Sequence, residues 1–253
     1  MTARPNDRLG ATEFTAMAAD GPFAIYSGAA APTAARTLWQ VLEITAEAFP
    51  CAAAIDDGKS VLSYRDLLSA ARQAGYRLAS LGIGAGDRIG IRMTSGTAGL
   101  YLSILAVSSV GAAYVPVDMD DPEDRAALIW SAAGVRAVIG DGGELTWRTG
   151  RHRRTAARRP VPEDDAWIIF TSGASGTTKC VAVTHGNAAA FVDAEASLFL
   201  RGDPLGPGDR VLAGQSVAFD ASCGEMWLAW RHGACLVLAR PTTACVPSRR
   251  TWE

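Results

Sequence analysis

The chain has 253 residues, 49% of them hydrophobic, enough for one large domain or two ordinary ones and too apolar for wholesale disorder. Its 24 Lys and Arg against 26 Asp and Glu leave a formal net charge of −2, which excludes a global field for nucleic acid or an anionic membrane. The five cysteines, at 51, 180, 223, 235 and 245, form no C-x-x-C pair, a set expected of reduced thiols in a cytoplasmic protein.

Residues 1–36 lack a sustained period and a continuous apolar run, so they read as a loosely ordered extension without a signal peptide. Apolar residues at helical spacing predict a helix over 37–49, stopped by Pro50. Short strands are expected at 51–55 and 60–62 around the Asp57-Gly58 turn, then a long amphipathic helix over 64–81 ended by Gly82. Strands and helices then alternate: strand 88–93, helix 98–110, strand 113–117, helix 122–133, strand 137–139. The stretch 93–117 carries no charge, but Ser108, Gly111 and Pro116 divide it into a buried helix and a buried strand rather than a membrane span. After a polar connector over 141–165 come strands at 167–170 and 181–183, a helix at 185–200, a strand at 210–213, a helix at 223–231 and a strand at 235–239. The strands are apolar runs rather than alternating ones, as in parallel strands buried on both faces. The class is therefore α/β, a mostly parallel, doubly wound sheet flanked by helices.

The connector holds Arg148, Arg151, His152, Arg153, Arg154, Arg158 and Arg159. A phosphate or nucleic-acid patch is one reading. A solvated loop is the better one, since the run is short, lacks interleaved aromatics and sits in a chain of negative net charge.

The sharpest feature is the segment Thr171, Ser172, Gly173, Ala174, Ser175, Gly176, Thr177, Thr178 and Lys179, set between two apolar strands. Small residues let backbone N–H groups converge on an anion, hydroxyls add donors, and one Lys adds positive charge, which is chemistry for a polyphosphate. It is not a Walker loop: counted from Gly173, the second glycine position is Thr178, and Cys180 follows Lys179. No G-x-G-x-x-G precedes a helix and no G-x-S-x-G exists, so a Rossmann dinucleotide site and an α/β-hydrolase elbow lack support.

This segment resembles the T-S-G-[ST]-[ST]-G-x-P-K-G signature of adenylate-forming (AMP-binding) enzymes. Three further motifs follow the same family's order. Leu62, Ser63, Tyr64, Asp66 and Leu67 resemble its L-[ST]-Y-x-[ED]-L motif, and Gly111 through Asp118 with Pro122 and Arg125 its G-x-A-Y-V-P-[ILV]-D motif. Phe219, Asp220 and Ser222, with Glu225, Gly233 and Ala234, resemble its F-D-x-S…E…G-A motif. The tyrosine of the second motif and the F-D-A-S form point to amino-acid adenylation domains of nonribosomal peptide synthetases. The stretch 191–237 is most similar to stand-alone poly-amino-acid synthetases such as ε-poly-lysine synthetase.

The resemblance implies ATP and Mg²⁺ as cofactors, an amino-acid substrate and, in the full-length family, a carrier-protein domain as partner. It assigns residues 171–179 to the β- and γ-phosphates, Thr171 to the metal, Asp220 to the substrate α-ammonium, and Ala221 and Gly224 to the side-chain pocket. Asp220 also has a simpler reading, as the cap of the following helix. The sequence departs from the family pattern at Thr178 for Pro, at Cys180 for Gly, and at Gly224 where a larger residue is common. The adenine-contacting N-x-Y-G-P-T-E region, the ribose-binding Asp and the catalytic Lys of the family are absent. No catalytic set is complete, so the expectation is the N-terminal half of an adenylation domain over 37–239, followed by a tail at 240–253 foreign to the family. Such a half is expected to be inactive alone. The alternatives are a non-catalytic remnant that binds at most phosphate, and an acyl-CoA ligase-like fragment, which Asp220 disfavours because a fatty acid has no ammonium to pair.

Overall fold

The computed structural model describes residues 35–148, 154–172, 178–200, 202 and 204–239, without the side chains of residues 172, 178 and 197–199. Within them lie helices α1 (Leu38–Ala48), α2 (Tyr64–Ser80), α3 (Ala98–Ser109), α4 (Glu123–Ala132), α5 (His185–Phe199) and α6 (Ala221–His232). The strands are β1 (Ala53–Asp56), β2 (Val61–Ser63), β3 (Arg88–Ile91), β4 (Ala113–Pro116), β5 (Ala137–Ile139), β6 (Leu145–Trp147), β7 (Asp165–Ser172), β8 (Thr178–Thr184), β9 (Arg210–Ala213) and β10 (Cys235–Leu238).

These strands form two sheets. The larger has the order β6-β5-β3-β4-β7-β8, with a parallel centre and an antiparallel strand at each edge. The smaller has the order β2-β1-β10-β9, and β1, β10 and β9 run parallel. The alternation of strand and helix anticipates the α/β class; the division into two sheets rests on the long-range pairing of β1 with β10.

Burial explains the uniform apolarity of the central strands. In β4, Tyr114 belongs to the main core, while its neighbour Val115 belongs to a second cluster with Ile129, Trp130 and Ile168 beneath α4. With both faces covered, no position is left for a polar residue. On the first face α3 presses closely on α2: a Cβ built at Gly75 would stand 2.1 Å from Ser109 Oγ. The expected membrane-like stretch is thus α3 plus β4, and no helix among the described residues is long and apolar enough to cross a membrane.

Local sequence sets the helix ends. Thr37 and Gln40 form a reciprocal capping box at the start of α1. Ser63 Oγ accepts from Asp66 N at the start of α2. Gly233, at φ 84°, ends α6 in the left-handed conformation, and a Cβ there would stand 2.7 Å from the Phe49 ring. Beneath the smaller sheet Trp227 and Trp230 meet edge to face at 5.3 Å, and Trp230 Nε1 donates to Ala54 O. The first motif contributes to this core: Tyr64 Oη donates to Ala234 O at 2.7 Å, joining α2 to the turn before β10.

The connector includes a strand that the sequence reading left as coil, β6, three residues paired antiparallel to β5. The described part of its basic run is engaged. Arg158 pairs with Asp164, Arg159 with Glu43, and Arg148 lies over the Trp130 ring at 5.2 Å. Arg151, His152 and Arg153 lie outside the described residues.

Candidate active site

The glycine- and hydroxyl-rich segment sits at the tip of a hairpin. β7 and β8 pair from Asp165↔Thr184 through Trp167↔Val183 to Thr171↔Lys179 and Ser172↔Thr178. Four of the nine expected loop residues therefore belong to the ladder, and Gly173, Ala174, Ser175, Gly176 and Thr177 lie outside the described residues. Cys180, which stands where the family pattern has Gly, pairs with Phe170 as part of β8, in extended backbone open to any side chain. Thr171 and Lys179 are exposed, directly opposite one another in the last pair but one of the ladder.

Three of the four sequence motifs meet beside this tip. A cavity of about 240 Å³ is lined by Asp118, Asp121 and Arg125 from the second motif, Thr171 from the hairpin, and Phe219 and Asp220 from the fourth. Ser216 Oγ donates to Asp118, which fastens the loop before α6 to the segment after β4. Arg125 pairs with Asp121 one helical turn away. The wall is acidic around Asp118 and Asp121, Arg125 also lines it, and Lys179 is exposed on β8.

Asp220 occupies the N-cap position of α6 but caps it poorly. Its backbone is helical, at φ −59° and ψ −33°, and Oδ1 accepts only from the adjacent Ala221 N at 2.9 Å. A conventional cap has extended backbone and serves the N–H groups two and three residues on. Here Ser222 N donates to Phe219 O and Cys223 N to Asp220 O. The other carboxylate oxygen of Asp220 has no partner among the described residues.

On the far side of Asp220 opens a second cavity of about 870 Å³, between β7, β8, α5 and α6. Trp167, Ala188, Phe191, Val211 and Leu228 form apolar walls, and Ala221 and Gly224 stand along one side. The structure thus brings Asp220, Ala221 and Gly224 to one pocket and Asp220 and Thr171 to its neighbour. Glu225, also in the fourth motif, is structural: its Oε2 accepts from Gly214 N and Gln215 N, holding the chain after β9 to α6. Cys223 is buried beside Tyr114 Oη at 3.5 Å, and burial pushes its thiol up to about 11, which makes it inert rather than nucleophilic. Sequence reasoning missed Glu195, which reaches this pocket from α5; the signal was a second carboxylate, two residues beyond Asp193, in a helix otherwise dominated by small and apolar residues.

No group of three or more His, Cys, Asp or Glu side chains fit to hold a metal ion occurs among the described residues. Thr171, the residue that the resemblance assigns to a metal, is exposed near the hairpin end.

The sequence profile of the AMP-binding enzyme family matches residues 42–155 and 141–253. The chain belongs to the AMP-binding enzyme family. Its solved relatives include FmoA3, a nonribosomal peptide synthetase determined with α-methyl-L-serine-AMP bound, at TM-score 0.72 and 26% identity over 87% of this chain and 26% of that one. The N-terminal subdomain of Klebsiella oxytoca NpsA, in complex with 3-hydroxyanthranilyl-AMSN, matches at TM-score 0.70 and 26% identity over 83% of this chain and 55% of that one. The delta-poly-L-ornithine synthetase of Acinetobacter baumannii is 29% identical over 219 residues, covering 81% of this chain and 16% of the relative. The chain therefore spans about half of the NpsA chain and a much smaller part of the other two. Membership of the AMP-binding family accounts for the order of all four motifs along the sequence.

Proposed function

We propose that these residues form the phosphate-holding and amino-acid-anchoring part of a ligase that activates an amino acid as its adenylate for nonribosomal peptide synthesis. The observation that carries this reading is the placement of Asp220 between two cavities, with the hairpin tip on one side and an apolar pocket on the other. Such an arrangement suits a zwitterion. The under-used Asp220 carboxylate pairs with the α-ammonium, the side chain enters the pocket past Ala221 and Gly224, and the carboxylate is left facing the hairpin.

ATP, when bound, supplies the α-phosphorus that the amino-acid carboxylate attacks, with pyrophosphate as leaving group. The role of residues 171–179 is to hold the β- and γ-phosphates, with Lys179 as the formal cation of the segment and Thr171 beside the Mg²⁺ that accompanies them. A carrier-protein domain is the proposed acceptor of the activated amino acid. The 253 residues contain no N-x-Y-G-P-T-E segment, so for them alone the proposal is binding without turnover.

A second reading, an acyl-CoA ligase-like site, has no observation in its favour, because it leaves Asp220 without a role. A third, a remnant with no ligand, is separated by experiment. Calorimetric titration with pyrophosphate is expected to show binding that Lys179→Ala weakens about tenfold or more, the loss of one charge-assisted contact. No binding by the wild type favours the remnant, and unchanged affinity in the variant places the phosphate site elsewhere. Amino-acid-dependent pyrophosphate exchange is expected to be absent, and robust exchange would overturn the claim of binding without turnover.

A further inference from the structure

Building on the amino-acid reading above, we infer that the pocket selects a basic α-amino acid, with Glu195 as the residue that recognises the cation at the end of its side chain. Glu195 projects from α5 across the cavity to the face of α6 that carries Asp220 and Gly224. A Cβ built at Gly224 would stand 3.1 Å from Glu195 Oε2 and 3.4 Å from Oε1, so the carboxylate fills the space that a larger residue at 224 would take. Oε2 is withdrawn from solvent and has no hydrogen-bond partner among the described residues. An anion in that condition is costly to hold unless a cation joins it.

Among the described residues the lining of the pocket contains no Lys, Arg or His to supply that cation. The nearby Arg36 and Arg231 both pair with Asp193 instead. Glu225, the other glutamate in the lining, is occupied by two backbone N–H groups. The cavity therefore offers two carboxylates for a ligand, Asp220 at its mouth and Glu195 at its wall, between apolar sides. Burial raises the Glu195 carboxyl above its ordinary range, the condition that a bound ammonium would reverse.

Spacing narrows the ligand. Asp220 and Gly224 are four residues apart, roughly 6 Å along the axis of α6, and lie on one face. A substrate held at Asp220 by its α-ammonium reaches the carboxylate opposite Gly224 with an unbranched side chain of three or four methylenes ending in an ammonium. Apolar walls suit the methylenes, and among the described residues the lining offers an acidic side chain no cation, only the amides of Asn187 and Gln215.

Ligand-observed NMR titration of the 253-residue chain with L-lysine, L-ornithine, L-norleucine and L-glutamine tests this, with Glu195→Gln and Asp220→Asn in parallel and circular dichroism to verify each fold. Wild type is expected to bind lysine or ornithine at least about tenfold more tightly than norleucine or glutamine. Glu195→Gln should bring the basic amino acids to the norleucine level, and Asp220→Asn should weaken all four. Gly224→Ala, whose methyl meets the Glu195 carboxylate, is a second variant expected to lower lysine affinity. Equal affinity for lysine and norleucine in wild type, or a preference that survives Glu195→Gln, overturns the role of Glu195 while the dependence on Asp220 preserves the amino-acid reading. Absence of binding by any amino acid, or indifference to Asp220→Asn, overturns both.

Discussion

Asp87 and Glu195 are both carboxylates drawn into the protein, and they are treated in opposite ways. Asp87 is 7% exposed and its Oδ2 accepts from Arg136 Nη1 at 2.7 Å and from Gly84 N at 2.9 Å, while Oδ1 accepts from Thr155. Arg136 Nη1 also donates to Gly82 O and the guanidinium carbon lies 5.1 Å from the Trp147 ring, while Nη2 has no hydrogen-bond partner among the described residues. Glu195 Oε2 has no partner among the described residues. The Asp87 cluster knits β3, β5 and the end of the connector together, so its energy is spent on the fold. Glu195 Oε2 makes no such link among the described residues, and its energetic demand remains available to a ligand.

The widest gap between the two regions is expected on breaking the Asp87 pair. Arg136→Met leaves Asp87 buried and uncompensated and should cost about 3–5 kcal/mol in urea denaturation, much of it recovered by adding Asp87→Asn. Retained stability in the single variant would mean that the cluster does not hold the sheet.

A pH scan gives the next largest effect, through His185 at the start of α5. This residue is fully buried, neither ring nitrogen has a hydrogen-bond partner among the described residues, and burial lowers its pKa to about 4. The unfolded chain therefore binds the proton more readily between the ordinary value of 6.5 and about 4, and stability present above 6.5 is lost as pH falls through this window. By pH 4.5 the loss should approach about 2–3 kcal/mol, and His185→Leu should flatten the slope. An unchanged slope in the variant would assign the acid sensitivity to other groups.

Smaller effects sharpen the contrast. Thr37→Ala removes one half of the α1 capping box and should cost about 1 kcal/mol, read from the thermal midpoint. Glu195→Gln in the ligand-free protein should be neutral or raise stability by up to about 1 kcal/mol, since it removes an unpaired charge. The raised pKa sets the sign: its proton is held more tightly folded than unfolded, so the favourable contribution exists at low pH and is lost as pH rises. The advantage of the variant over wild type should therefore grow with pH.

These contrasts also mark what the sequence disclosed. The elements between Arg88 and Ile139 are legible because central parallel strands are uniformly apolar and the helices between them begin and end on recognisable residues. β6 is not, because a three-residue edge strand needs no long apolar run and takes its pairing from β5. Nor is the ladder at Thr171↔Lys179 legible, since hydroxyl-rich residues read as loop and only the partner strand makes them extended. In the site, Asp220, Ala221 and Gly224 follow from motif resemblance, and the structure gathers them at one pocket. Glu195 belongs to no motif; its significance arises from facing a glycine on another helix, a relation visible only in three dimensions.

We propose that Asp220 anchors the ammonium of an amino acid at the mouth of the larger cavity. It is tested most directly by comparing an α-amino acid with its des-amino counterpart, L-norleucine against hexanoate, by NMR titration of wild type and Asp220→Asn. Wild type is expected to bind norleucine about tenfold or more tightly than hexanoate, and Asp220→Asn to remove the difference. Equal binding of the two by wild type, or a preference that persists in Asp220→Asn, would contradict it.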